Sequence, residues 1–365
     1  MAEKHPKSRL IRYAPLAAVA LIAVLLTAGA RGQTARPDAV FSVHGRITLF
    51  AADGNQAAVS TGVKSGCGRI VVWRAPGKRS ISVKPGILGC AGDGVFQLAL
   101  GGGRVAWIEE GGGNTLEMAV MAAGLGGGAR KQLEFASNGD RAGGDPSGDW
   151  VGRLLGSGPL FAYNSWAQVC DKPNDEVCGE KDPFLRLASQ KLVRVVNGRR
   201  AVVTRGDAAY PLLAVGGGRM AVGAAAGLTI RAVSGAPIAT VPYASGSARA
   251  VALSTTRLAI ETALTLNLYK PANGAATKSL PLGAAASLRL VDVSSRLALL
   301  RGQQRLAVLR LRDGKRFSFP LPPAAATLVG GRLTEAGLFY AYNARSGSLP
   351  GRIGFEPMGK LLARF

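Results

Sequence analysis

Between Arg219 and Phe365 one short pattern keeps returning: an apolar strand, a Gly or Ser turn, an Arg, a second and a third strand, a Gly turn and a fourth strand. Arg219, Arg257, Arg296 and Arg332 mark the same point in successive copies, at spacings of 38, 39 and 36 residues. A unit of four short strands cannot bury its own faces, so copies must stack on one another, and a period of this length belongs to propeller blades. The expected fold is all-β: a seven-bladed β-propeller of four-stranded antiparallel blades. The 50 glycines and 6% aromatic residues suit many short strands joined by tight turns. A closed ring uses the 365 residues as one domain, so a second domain is not required.

The first copy places strands at 46–51, 56–61, 69–74 and 79–83, with turns at Asp53-Gly54-Asn55 and Pro76-Gly77. The second uses 95–100, 104–109, 116–121 and 131–135, and the third 151–155, 160–166, 191–196 and 199–203 with an insertion over 167–190. Copies four to six turn at Ser234-Gly235, Asn273-Gly274 and Asp313-Gly314, each between apolar strands, which is a strong hairpin signal. Pro242, Pro281 and Pro320 close their fourth strands, as suits an outer edge with no further partner. The seventh copy covers 325–365, and its Leu338-Phe339-Tyr340-Ala341-Tyr342-Asn343 echoes Leu160-Phe161-Ala162-Tyr163-Asn164. Its last strand is expected at 360–365, while residues 40–43 are the other segment able to join this blade and latch the termini together. An eight-bladed ring with a blade hidden in the insertion, and a pair of β-sandwiches, are the alternative folds.

The segment Ala52-Asp53-Gly54-Asn55-Gln56-Ala57-Ala58-Val59, followed by Ile70-Val71-Val72-Trp73, resembles the "DG, apolar strand, apolar strand" unit of seven-bladed propellers. In period the chain resembles the WD-repeat-like and TolB-like propellers of exported bacterial proteins over nearly all of its mature length. The Gly-His and Trp-Asp dipeptides of true WD repeats do not occur in these copies.

Lys4, Lys7, Arg9 and Arg12 lead into an uncharged run over 14–28 that ends in Ala28-Gly29-Ala30. The run is shorter than the roughly 20 residues of a spanning helix, and small-x-small is what a signal peptidase accepts, with cleavage before Arg31. The expected organisation is 1–30 as signal peptide or membrane anchor, 31–39 as linker and 40–365 as propeller. Either reading of the first segment makes the protein extracytoplasmic, secreted or anchored. Four cysteines in an exported chain read as two disulfides, Cys67 with Cys90 and Cys170 with Cys178.

Strand direction reverses at every turn of a meander. The b-to-c loops and the links between blades therefore share one face, and the a-to-b and c-to-d turns share the other. All four cysteines fall on the first face. The formal charge is +23, and removing residues 1–30 takes away four basic groups and one acid to leave +20. Such a surplus favours anionic surfaces. Arg104, Arg219, Arg257, Arg296 and Arg332 follow a-to-b turns near the channel on the second face. Arg199, Arg200, Lys315 and Arg316, with Lys78, Arg79 and Lys360, lie around its rim. These residues are candidates for binding an anion or a partner, with the inner Arg ring serving equally well to tie blades together through carbonyls. The first face carries acids instead, Asp140, Asp145 and Asp149 before the third blade and Asp171, Asp175, Glu176, Glu180 and Asp182 in its insertion. Their spacing fits no calcium loop, and Arg141, Lys172 and Lys181 dilute them, so a solvated, disulfide-pinned loop is expected.

Catalysis by a Ser, His and acid triad needs a histidine, and after residue 30 only His44 remains. Neither HExxH, GxSxG, GxxxxGK(S/T) nor CxxC occurs, and Glu109 and Glu110, adjacent on a strand, point to opposite faces. No catalytic residue, metal or cofactor is indicated. The expected function is a non-catalytic binding scaffold for a partner protein or an anionic envelope polymer or membrane surface. The chain is expected to be a monomer, with no specific nucleic-acid partner. The alternative is a propeller enzyme acting on a saccharide or peptide at the channel mouth, which calls for converging, partly buried carboxylates there.

Overall fold

In the strand Leu297–Arg301, Leu297 and Leu299 point to one side of the sheet and Ala298 and Leu300 to the other, and all four are fully buried. A strand buried on both faces requires another sheet on each side of its own. The computed structural model supplies them: among the described residues there are seven four-stranded antiparallel sheets. It describes residues 39–62, 68–77, 80–86, 88, 94–112, 115–139, 146–172, 178–179, 181–206, 210–224, 227–243, 247–322, 326–344 and 351–365. The basic leader, its apolar run and the linker to residue 38 lie outside these, as do Cys67, Lys78, Arg79 and Cys90. No helix among the described residues is long and apolar enough to cross a membrane.

The first strand in sequence, β1 (Ala39–Val43), belongs to the last blade. Blade 1 contains β2 (Arg46–Asp53), β3 (Gln56–Gly62), β4 (Arg69–Arg74) and β5 (Ser80–Val83). Blade 2 contains β6 (Val95–Gly101), β7 (Arg104–Gly111), β8 (Glu117–Gly124) and β9 (Lys131–Ser137). Blade 3 is β10 (Gly148–Ser157), β11 (Leu160–Cys170), β12 (Leu185–Val196) and β13 (Arg199–Gly206). Blade 4 is β14 (Leu212–Gly216), β15 (Arg219–Ala224), β16 (Gly227–Ala232) and β17 (Pro237–Pro242). Blade 5 is β18 (Ala250–Leu253), β19 (Leu258–Glu261), β20 (Thr265–Tyr269) and β21 (Ala276–Pro281). Blade 6 is β22 (Arg289–Val293), β23 (Leu297–Arg301), β24 (Leu306–Arg310) and β25 (Arg316–Phe319). Blade 7 contributes β26 (Ala326–Leu333), β27 (Gly337–Ala344) and β28 (Gly351–Pro357), and α1 (Met358–Leu362) follows.

The buried side chains fall into seven clusters, each drawn from two adjacent blades. Val105 and Trp107 of β7 join blade 1, whereas Ala106 and Ile108 of the same strand join blade 3. Period-two alternation thus shares each inner strand between two junctions. Outer strands need no such double face, and β13, β17 and β21 are largely exposed or half-buried. Pro242 and Pro281 end two of these outer strands, and Pro320 stands one residue beyond a third.

The ring closes between blades 7 and 1. There β1 pairs antiparallel with β28, setting Ala39 opposite Phe355 and Val43 opposite Gly351, and β26 contacts β2. The outer strand of blade 7 is therefore the N-terminal segment, and residues 360–365 do not form it. The edge of β28 is filled by β1, and after Pro357 the chain turns into α1, which buries Leu361. The insertion of blade 3 is also more regular than expected. The ladder of β11 and β12 runs on to the pairing of Cys170 with Leu185, and Cys170 bonds to Cys178 just beyond it. Asp149 lies inside β10, not in the link before it. The turn Asn197-Gly198 has positive φ at both residues, 51° and 74°, as a tight hairpin requires. The Asn273-Gly274 and Asp313-Gly314 turns are wider, because Gly274 and Gly314 donate their N–H to the carbonyls of Lys270 and Arg310.

Candidate functional site

The a-to-b turns gather round one mouth of the channel, where Asp53, Gly54, Ser157, Gly158, Gly217, Ser254, Thr255, Thr334 and Glu335 line a hollow of about 200 Å³. Bonds between blades knit this rim. Gly102 N donates to Gly158 O at 2.8 Å, Thr334 Oγ1 to Gly54 O at 2.7 Å, and Ser295 N and Oγ to the two Glu335 oxygens at 3.0 and 2.9 Å.

The arginines that share one place in the repeat do not share one job. Arg219 donates to Thr255 O of blade 5 at 2.8 Å, and Arg332 pairs with Asp292 of blade 6 at 3.0 Å. Arg104 lies against Gly198 of blade 3, where a Cβ would come within 2.7 Å of its Nη2. On the rim, Arg200 pairs with Glu134 and donates to Leu133 O of blade 2, while Arg316 donates to Leu282 O at 2.6 Å. Arg199 and Lys315 are exposed. Arg257 and Arg296 differ from Arg219 and Arg332: neither guanidinium has a hydrogen-bond or carboxylate partner among the described residues, and Arg257 Nε is buried.

These two open onto a groove of about 560 Å³ at the junction of blades 5 and 6. Its walls come from the a-to-b turns (Arg257, Ser295, Arg296), the start of β21 (Thr277, Lys278) and the end of β24 with its turn (Arg310, Leu311, Arg312). Leu268, Leu311 and Leu362 make it partly apolar. Five cationic side chains line it, and no lining residue among those described is acidic. Asp313 lies just outside and is committed: Arg310 Nε reaches its Oδ1 at 2.9 Å, and that hydrogen bond above all holds the Asp313 carboxyl down to about 2. Arg310 also stacks 4.8 Å from the Phe365 ring centroid, and Lys278 Nζ donates to Arg312 O at 2.6 Å. Arg310 and Lys278 are thus fixed in place, while Arg257 and Arg296 remain available.

The channel mouth holds carboxylates, as the enzyme reading asks, with Asp53 and Asp292 near enough to repel each other, and one oxygen of each is taken up in joining blades. Asp53 Oδ1 accepts from Ser157 Oγ and Gly158 N at 3.2 and 2.9 Å, binding blade 1 to blade 3. Asp292 Oδ2 accepts from Leu333 N at 3.0 Å in addition to Arg332. Burial holds the Asp292 carboxyl above its usual range, partly offset by Arg332 and the Leu333 N–H, and the Asp53 charge nearby adds to the rise. A folded-state pKa above the unfolded value gives stability that is full below the unfolded pKa and is lost as pH rises through the folded one. Wild type should therefore lose urea stability relative to Asp292→Asn on going from about pH 4 to about pH 7.5. A difference in midpoint that stays constant or grows in favour of wild type over that range contradicts this assignment.

Among the buried polar side chains of second strands, sequence reasoning passed over Glu261 and gave Asn164, Asn343 and Glu109 no role in joining blades. Asn164 accepts from Leu212 N at 2.9 Å and donates to Tyr210 O at 3.0 Å, and Asn343 does the same with Ile47 N and O, both at 2.8 Å. Glu261 accepts from Leu290 N at 2.5 Å, and buried Glu109 accepts from Trp107 Nε1 at 2.7 Å and Gly86 N at 2.9 Å. Each is a stitch that satisfies backbone groups where the chain enters the next sheet or a link beside it. Glu110 is only half-buried.

Of the acids on the first face, Asp140, Asp145, Asp175, Glu176 and Glu180 lie outside the described residues. Asp149 is exposed, Asp171 pairs with Arg186, and Lys172 pairs with Asp182, whose carboxyl that lysine's hydrogen bond lowers. No group of three or more His, Cys, Asp or Glu able to hold a metal occurs among the described residues. His44 is exposed beside β1.

No protein-family model matches the chain, and no curated protein sequence matches it. Among solved structures, a chain of the "Crystal Structure of Mitotic Checkpoint Complex" is 12% identical, covers 98% of each chain and superposes with a TM-score of 0.51. "KlHsv2 with loop 6CD replaced by a Gly-Ser linker" is 8% identical over 85% of this chain and 97% of that one, with a TM-score of 0.49. The first likeness shows the fold that the seven sheets already define: a seven-bladed β-propeller.

Proposed function

We propose that this protein is a non-catalytic, exported propeller of the TolB-like kind that holds an anionic partner, a protein or an envelope polymer, on the face of its a-to-b and c-to-d turns. The observation that carries the reading is the groove between blades 5 and 6, lined among the described residues by five cations and no acid, with Asp313 outside the lining as the one described carboxylate paired with Arg310 and Arg312. A cationic concavity walled by low-dielectric strands concentrates its field and draws anions to it. The basic leader before an uncharged run, the Cys170–Cys178 disulfide and the surplus of +20 beyond residue 30 support a place outside the cytoplasm. One oxygen of each of Asp53 and Asp292 at the channel mouth joins blades, which favours a scaffold over an enzyme.

Binding of fluorescent anionic probes to the full chain tests this. Affinity for an acidic peptide or an anionic polymer should fall at least about tenfold between 50 and 500 mM salt, because the Debye length shrinks to a few ångströms. Failure of every anionic probe to bind, or binding indifferent to salt, contradicts the reading.

A further inference from the structure

We propose that the groove at the junction of blades 5 and 6 is a docking pocket for an extended peptide segment of a partner protein that carries both carboxylates and aliphatic side chains. This rests on the reading that the basic face is the binding face, and adds where the ligand sits and what it is made of. Two observations define the ligand. The cations call for an anion, and the Arg257 and Arg296 side chains that line the groove make no hydrogen bond or ion pair among the described residues. Most of the groove's accessible lining is nonetheless apolar, with half-buried Leu362 beside the cationic side chains, and calls for apolar matter. A polyphosphate or glycerol-phosphate polymer offers oxygens to the arginines but nothing to cover the apolar lining, whereas a peptide mixing Asp or Glu with Leu or Val satisfies both. A volume of about 560 Å³ lies within the range of sites that enclose small ligands, enough for a few side chains.

The roles divide by what each cation already does. Arg310, held by Asp313 and stacked on Phe365, and Lys278, held by the Arg312 carbonyl, are fixed walls of positive potential. Arg257 and Arg296 are the two guanidinium groups free to take a carboxylate in bidentate fashion. The chain's own described acids are poor occupants, because Asp171 and Asp182 are paired within their hairpin on the opposite face.

The test measures fluorescence anisotropy of a labelled peptide alternating Glu, Asp and Leu with the full chain, alongside its amide version, its Leu-to-Ser version and inorganic polyphosphate. Arg257→Glu with Arg296→Glu should weaken the acidic peptide about thirtyfold or more, in keeping with loss of charged pairs in a desolvated site. Neither side chain holds the fold together, and an unchanged melting temperature checks this. Arg199→Glu with Lys315→Glu at the rim should change affinity less than about threefold, as exposed charges do. The amide and Leu-to-Ser peptides should each bind more weakly than the parent. Salt-sensitive binding that survives the groove variant but is lost in the rim variant overturns the groove while leaving the basic face as the binding face. Polyphosphate binding more tightly than the peptide, and lost in the groove variant, overturns the peptide as occupant. Self-association that the groove variant abolishes assigns the pocket to a second copy and overturns it likewise. No binding of any probe overturns both readings together.

Discussion

Gly216→Ala is expected to cost about 3 kcal/mol or more, at the upper end of what overpacking does. Gly216 ends β14, and a Cβ on it would stand 1.8 Å from Leu253 O, 2.4 Å from Leu253 C and 3.0 Å from Ser254 N. Those are backbone atoms of β18 and its turn, so no side chain can swing aside. The strand cannot retreat either, because blades on both sides fix its position in the ring. Gly126→Ala is the control. A Cβ there meets nothing within 4 Å, and the change should lie within about 0.5 kcal/mol of neutral, stabilising if anything through the unfolded chain. Urea midpoints measure both. Equal effects at the two sites contradict the close approach of blades 4 and 5.

Asn343→Leu is expected to cost about 2–5 kcal/mol, because it strands the Ile47 N–H and C=O, each worth about 1–3 kcal/mol when buried without a partner. These bonds lie where blade 7 meets blade 1, so the loss acts on ring closure. Asn164→Leu, which strands Leu212 N and Tyr210 O at the junction of blades 3 and 4, should cost a similar amount. Asn343→Asp keeps an acceptor for Ile47 N but sets a charge against Ile47 O, and should also destabilise. A variant Asn343→Leu with the wild-type urea midpoint contradicts the stitch.

The repeat was legible because one physical position recurs. Arg219, Arg257, Arg296 and Arg332 all follow an a-to-b turn, and the strands between them must be apolar on both faces to fill two junctions. The echo of Leu160-Phe161-Ala162-Tyr163-Asn164 in blade 7 has a cause of the same kind, since Asn164 and Asn343 make equivalent bonds to the next blade. What those arginines do was not legible. Each faces a different neighbour, a carbonyl for Arg219, Asp292 for Arg332 and no partner for Arg257, and such neighbours are set by tertiary contact. The groove escaped for a related reason. Lys278, Arg310, Arg312 and Leu362 come from an outer strand, an inner strand, a turn and the last helix, with no local pattern to link them. The closing strand was offered by residues 40–43, and only pairing with β28 decides between them and residues 360–365.

The basic groove is tested most directly by hydrogen–deuterium exchange of the full chain with and without saturating acidic, Leu-containing peptide. Slower exchange should appear in the turns around Arg257 and Arg296 and in the segments around Lys278 and Arg312, with blades 1 to 3 unchanged. Protection confined to the β11–β12 hairpin, or none in blades 5 and 6 under saturation, would contradict it.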